Sequence, residues 1–262
     1  MKKLTIIKIG GKVIDDSVAL DAFLTDFAQI SGPKVLVHGG GKIASDVGEK
    51  LGIKPNYVEG RRITDAETLE LVTMVYGGLI NKRIVAQLQA KGVNALGLTG
   101  ADANVMAADR RPVKEIDYGH VGDVSEAKVG FESLAMFLTE GLTPVLCPLT
   151  HDGHGGLLNT NADTIASMLA RVASQVYETN LIYCFEQKGV LSDFEHQIVI
   201  PQINAVSYQD LKEQGIISDG MIPKLDNAFD ALGTGVRKVT IGHFSEVGKL
   251  AMEAGTGTVI TL

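Results

Sequence analysis

The sequence predicts an α/β protein in which a mainly parallel sheet is sandwiched between helices, and three observations carry that prediction. Short apolar runs recur along the chain, most of them nearly continuous in apolar residues, as in strands covered on both faces. Amphipathic stretches with helical spacing separate them. The 30 glycines of the 262 residues cluster at turns after those runs.

In chain order the strand-like runs are "LTIIKIG" (4–10), "KVLVHGG" (34–40), "VNALGLTG" (93–100), "LTPVLCPL" (142–149), "TNLIYCF" (179–185), "VRKVTIG" (236–242) and "GTVITL" (257–262). Segment 17–30 puts Leu20, Phe23, Leu24 and Phe27 on one helical face, and "ISGPK" stops that helix with Gly and then Pro. Segment 162–174 does the same with Ile165, Met168, Leu169 and Val172. Asn161 can cap that helix, and Asp163 falls in its first turn, where a carboxylate suits the helix dipole. In "IISDGMIPKLDNAFDAL" (216–232), Pro223 reads as a first-turn proline ahead of the stripe Leu225, Ala228, Phe229 and Leu232. Two regions break the alternation. Residues 101–127 are polar and turn-rich and read as β-hairpins projecting from the sheet, and 186–206 read as a further hairpin excursion. No repeat, low-complexity tract or linker is present, and two lobes would join near 176–180.

Composition narrows the function. Hydrophobic residues make up 45% and charged residues 21%, ordinary for a soluble globular protein. A net charge of −7 without a Lys/Arg run argues against nucleic acid and anionic membrane as partners. No apolar run approaches the roughly 20 residues that span a bilayer, and "MKKLTIIKIGGK" has charge and glycines where a signal peptide needs an apolar stretch. Cys147 and Cys184 lie in apolar runs and read as reduced core thiols, so a cytoplasmic location is expected.

An anionic ligand of so acidic a protein must meet a local positive site. In open α/β sheets ligands bind beyond the carboxyl ends of the strands, which directs attention to the strand–glycine junctions. These are "KIGGK" (8–12), where Lys8 interrupts an apolar strand, and "VHGGGKIAS" (37–45). Glycines after a strand let backbone N–H groups approach an anion, and a following helix N-terminus adds positive potential. Tight turning explains one such cluster; two at successive strand ends favour a phosphate site. Gly39-x-Gly41-x-x-Ala44 also fits a loose dinucleotide fingerprint, but another strand and glycine pair precede it, and Glu59 ends no obvious strand. No G-x-x-x-x-G-K-[ST] is present. Lys224 sits near a helix start, where the dipole disfavours a cation unless an anion is beside it. Two lysines, an aspartate and two glycine nests together describe phosphoryl transfer, which needs positioning and charge stabilisation more than covalent chemistry. His151 and His154 in "HDGHGG" sit on a glycine-rich loop, a poor platform for a metal.

"IIKIGG", "VHGGG", "EGRRIT", "NTNAD" and "SDGMIPK", in this order and spacing, resemble the N-acetylglutamate kinases of the amino-acid kinase family over essentially the whole chain. The resemblance implies an αβα three-layer sandwich. It implies an N-terminal lobe, 1–178, for acylglutamate binding and dimerisation, and a C-terminal lobe, 179–262, for ATP. The implied reaction converts ATP and N-acetyl-L-glutamate to ADP and N-acetyl-L-glutamyl 5-phosphate, the second step of arginine biosynthesis. Carried over residue by residue, Lys8 and Lys224 stabilise the transferring phosphoryl group and Asp163 organises both. Gly40 and Gly41 bind substrate, and Arg62 clamps its α-carboxylate with help from Asn159. Nucleotide contacts fall on Gly10 and Gly11, on Glu186, Gly189, Val190 and Leu191, and on Ile216, Ile217 and Ser218. Mg²⁺ travels with ATP, so no dedicated protein metal site is expected. Where many relatives carry Thr/Ser-Asp after the strand at 181–184, this chain has Phe185-Glu186, with the turn ending in Gly189 kept. Lys8 leaves no room for the extra N-terminal helix of arginine-inhibited relatives, implying an arginine-insensitive homodimer. Alternatives are the same reaction on N-succinyl-L-glutamate, a carbamate or uridylate kinase, and a non-catalytic nucleotide-binding regulator; the last is disfavoured by the retained charges.

Overall fold

The computed structural model describes residues 1–58, 60–217 and 221–262. The first half runs β1 (Lys3–Ile9), α1 (Gly11–Asp15), α2 (Ser17–Gln29), β2 (Lys34–His38), α3 (Gly41–Lys50), the short pair β3 (Tyr57–Val58) and β4 (Arg61–Arg62), and α4 (Ala66–Val72). A π-helical stretch, Thr73–Ile80, links α4 to α5 (Asn81–Ala90), followed by β5 (Ala95–Leu98), β6 (Asp109–Arg110) and β7 (Gly122–Asp123). Next come α6 (Phe131–Thr139), β8 (Thr143–Leu146), β9 (Leu149–His151), β10 (Leu157–Asn159) and α7 (Ala162–Ala173). The chain finishes with β11 (Glu178–Phe185), β12 (Leu191–Asp193), β13 (Ile198–Val199), β14 (Gln202–Ile203), α8 (Ala205–Glu213), α9 (Ile222–Gly233), β15 (Lys238–His243), α10 (Val247–Ala251) and β16 (Thr258–Ile260).

One sheet runs β14-β16-β15-β11-β1-β2-β8-β5, with every neighbouring pair parallel except β15–β16. All seven strand-like runs of the sequence are in it. The eighth member, β14, is two residues long and comes from the stretch read as a hairpin excursion; the hairpin itself is β12–β13. Residues 101–127 depart from expectation. They hold one minimal pairing, Asp109 with Asp123 and Arg110 with Gly122, a 3₁₀ turn at Asp102–Asn104 and the start of another at Glu126–Lys128, rather than several hairpins. A stretch this polar has too few apolar side chains to hold long ladders, and single bridges from Ala107 to His151 and from Val121 to Asn159 tie it down instead.

Side-chain alternation along β1 builds both faces. Leu4 and Ile6 join α6, α7, α8 and α9 in one apolar layer, while Ile7 and Ile9 join α1 to α5 and α10 in the other. Phe23 and Phe27 of α2 are fully buried in the second layer, with ring centroids 6.1 Å apart. Each such side chain contributes about 1.5–3 kcal/mol through burial. Cys147 and Cys184 are free and buried, and burial pushes the Cys147 thiol up to about 12. Among the described residues no helix is long and apolar enough to cross a membrane.

Candidate active site

Alternation along β1 places Lys8 on the Leu4–Ile6 face, at the carboxyl end of the strand, under the start of α7. Asn161 caps α7 by accepting from the backbone N–H groups of Asp163 (2.7 Å) and Thr164 (3.3 Å). With the cap supplied by Asn161, the Asp163 carboxylate is free to leave its own helix. It stands between two ammonium groups: Lys8 Nζ is 2.6 Å from Oδ1, and Lys224 Nζ is 2.7 Å from Oδ2. Lys224 donates a hydrogen bond to Oδ2, and Lys8 pairs with Oδ1 as an ion pair. Burial alone pushes Asp163 up, but Lys8 and Lys224 outweigh it and hold the carboxyl at about 2. The misfit of Lys224 in the first turn of α9 is thereby explained by its counter-ion on α7.

Lys8 and Asp163 line a cleft of about 500 Å³ whose walls also include Gly11, all three glycines of "HGGG", Arg62 and Asn159, while Lys224 reaches Asp163 from outside those walls. Gly40 adopts φ +149°, and a β-carbon there would lie 2.3 Å from Ile80 Cδ1, so only glycine fits without rearrangement. Gly41 opens α3, aiming that helix's N-terminus at the cleft. Gly11 has open space before its α-carbon. Arg62 is buried, donating through Nη2 to Gly41 O and Ser45 Oγ (2.8 Å each) and to the Tyr57 hydroxyl, over whose ring its guanidinium lies at 4.7 Å. It has no carboxylate partner among the described residues. Asn159 donates to Thr64 Oγ1 at 3.0 Å.

Of the residues expected around the nucleotide, Gly11 lines this cleft, and Gly10, Glu186, Gly189, Val190, Leu191, Ile216 and Ile217 do not. Ser218 lies outside the described residues. Gly10 N–H donates to Cys184 O (3.1 Å), joining the ends of β1 and β11. Glu186 pairs with Lys12 at 2.9 Å; burial pushes its carboxyl up, and Lys12 more than offsets this. Val190 and Ile217 are in the apolar core, and the Val190 N–H donates to Thr258 Oγ1 at 2.8 Å. Gly189 packs so closely on Thr258 and Val199 that a β-carbon would lie 2.6 Å from Thr258 Oγ1.

Several cleft residues escaped the sequence reading. Arg111 and Asp123 line it as a pair at 2.5 Å, brought together by the β6–β7 turn. Two arginines before the proline at 112 in a turn-rich stretch were the available signal. Tyr57 and Tyr76 also line the cleft, and burial pushes the Tyr76 phenol to about 12. His151 uses both ring nitrogens, one with Asn104 Oδ1 (2.8 Å) and one with the Gly153 N–H (3.2 Å). Among the described residues no three His, Cys, Asp or Glu side chains gather as a metal cage.

Comparison with known proteins gives a consistent result. The model of the amino acid kinase family matches residues 3–243. The acetylglutamate kinase of Cytophaga hutchinsonii is 55% identical over 98% of this chain and 97% of its own length. That of Bacteroides fragilis is 56% identical over 92% of each. The crystal structure of smu.665 from Streptococcus mutans superposes with a TM-score of 0.78 at 29% identity, covering 100% of this chain and 99% of that one.

Proposed function

The chain belongs to the amino acid kinase family, and on that premise we propose that it transfers the γ-phosphoryl group of ATP to the side-chain carboxylate of N-acetyl-L-glutamate, a step of arginine biosynthesis. The observation that carries the mechanism is the buried Asp163 held between Lys8 and Lys224 at the edge of a glycine-lined cleft.

The nucleophile is a carboxylate, already ionised at neutral pH with an ordinary pKa of about 4.3, so no general base is needed. Transfer instead requires charge where the phosphoryl oxygens develop it. Lys8 and Lys224 supply two ammonium groups, and Asp163 fixes both without reacting. Its low pKa keeps it ionised throughout the working range, so this clamp does not titrate during turnover. Lys8 spends one N–H on Asp163 and keeps the others for phosphate oxygens. Gly40 and Gly41 offer backbone N–H groups at the start of α3, and Arg62, with Asn159, receives the α-carboxylate through a planar fork.

Residues 1–178 supply the glycine nest, Arg62 and Asn159, and form the acylglutamate side and dimer surface. Residues 179–262 form the nucleotide side, with Glu186, Gly189–Leu191, Ile216 and Ile217 on the segments that face ATP. Mg²⁺ would travel with ATP and would supply positive charge to its phosphates, with no dedicated cage of protein ligands. The enzyme acts in the cytoplasm as a homodimer. ADP release with MgATP and N-acetylglutamate, N-succinylglutamate or free glutamate in parallel tests the reading. Preference for N-acetylglutamate is expected. Preference for the succinyl compound changes the acyl group, and silence with all three overturns the reading.

A further inference from the structure

Behind the glycine nest lies a buried polar chain that the mechanism above does not use. His38 ends β2 and is fully buried; Asn81 opens α5 and is 1% exposed. The orientation of the Asn81 amide is forced by its neighbours. Lys82 Nζ donates to Oδ1 at 3.1 Å, so Oδ1 accepts; Nδ2 lies 2.9 Å from the Val145 carbonyl, so it donates. Its second N–H then meets His38 Nε2 at 3.2 Å, which must accept, leaving the ring proton on Nδ1. Nδ1 lies 2.8 Å from the Gly39 carbonyl, at the first peptide of the nest. The fold keeps room for this chain: a β-carbon on Gly97 would sit 2.0 Å from Asn81 Oδ1.

We propose that His38 is a positioning residue, held by Asn81 as the neutral Nδ1–H tautomer so that it anchors the Gly39 carbonyl and orients the Gly40 and Gly41 N–H groups toward the transferring phosphoryl group. The inference rests on reading the nest as part of the kinase site. Gly40, at φ +149° against Ile80 and Tyr76, is fixed from one side by packing, and the His38–Gly39 bond fixes the peptide before it. An imidazolium would set Nε2–H against the Asn81 amide N–H, and burial drives the ring the other way, with its pKa down at about 4. An imidazole here is therefore a fixed donor and not a proton carrier.

A merely structural plug and a positioning residue differ in what two substitutions do. In His38→Asn the amide nitrogen falls near the position of Nδ1 and can still donate to Gly39. In His38→Gln it reaches toward the position of Nε2 and leaves Gly39 without its donor. Steady-state kinetics and thermal melting of both variants are compared with the wild-type enzyme, together with ¹⁵N shifts of the histidine rings. The expected result is kcat within about threefold of wild type for His38→Asn and at least about tenfold lower for His38→Gln, the scale of one aligned hydrogen bond. Similar Tm values and an unchanged KM for ATP are expected in both, with the His38 ring in the Nδ1–H form from pH 6 to 9. Equal kcat in the two variants, a loss that tracks Tm, or an Nε2–H ring overturns the proposal. Wild-type protein without turnover overturns the kinase reading instead, and the ring shifts then still decide the tautomer.

Discussion

Replacing Asp163 by Asn removes the charge of the central carboxylate while keeping its shape, and the structure sets the size of the effect. Asp163 is 7% exposed and holds two ammonium groups at 2.6 and 2.7 Å. Its pKa of about 2 lies below the ordinary 3.8. At about 1.4 kcal/mol per tenfold in proton affinity, ionised Asp163 contributes about 2 kcal/mol at pH 7. Because the folded-state pKa is the lower one, this contribution is complete above 3.8 and is lost as pH falls toward 2. About half of it remains at pH 3. Urea unfolding of wild type and Asp163→Asn at pH 7 and pH 3 measures both values. The difference should be at least about 2 kcal/mol at pH 7, since the variant also leaves two half-buried lysines without their counter-ion, and clearly smaller at pH 3. At pH 7 kcat should fall at least about 100-fold, because neither lysine is held on the phosphoryl group. A variant that unfolds at wild-type urea concentration at both pH values would refute the claim that the carboxylate neutralises the pair.

Other perturbations have distinct signatures. Lys8→Ala and Lys224→Ala should each lower kcat by at least about 100-fold, read by ADP release, and near-wild-type turnover of either folded variant removes that lysine from catalysis. Arg62→Lys should raise KM for the acylglutamate about tenfold with a much smaller change in kcat, because a planar two-pronged carboxylate contact becomes a point charge; an unchanged KM takes Arg62 out of the substrate site. Cys147 and Cys184, buried and with thiol pKa values raised by burial, should resist iodoacetamide at pH 8 in the native protein and react in denaturant, as followed by mass spectrometry.

Much of this molecule is legible in its sequence, for physical reasons that differ from residue to residue. The β1 and β2 runs are apolar on both faces because helices cover both, so strand type and sheet class follow from composition alone. Lys8 stood out because an ammonium in such a run needs a counter-charge. Asp163 was open to two readings, a dipole-favoured first-turn residue or an organiser of lysines. In the structure Asn161 takes the capping bonds, and the Asp163 carboxylate turns to Lys8 and Lys224. What stayed hidden depends on contacts between distant segments. Arg111 finds Asp123 only once the β6–β7 turn closes, and His38 meets Asn81 across 43 residues of chain. The π-helical stretch at Thr73–Ile80, which sets Tyr76 and Ile80 against Gly40, has the apolar composition of an ordinary buried helix and carries no periodic mark of its own.

The central claim is that the ionised side-chain carboxylate of the acylglutamate attacks ATP directly while Lys8, Lys224 and the glycine nest stabilise the transferring group. Incubating the enzyme with MgATP and N-acetylglutamate labelled with ¹⁸O in its side-chain carboxylate, then trapping with hydroxylamine, follows the attacking oxygen. Hydroxylamine takes the acyl carbon and releases the bridging oxygen with phosphate. The account predicts the hydroxamate together with phosphate carrying one ¹⁸O. Unlabelled phosphate without hydroxamate would mean that water, not the carboxylate, takes the phosphoryl group, and would contradict it.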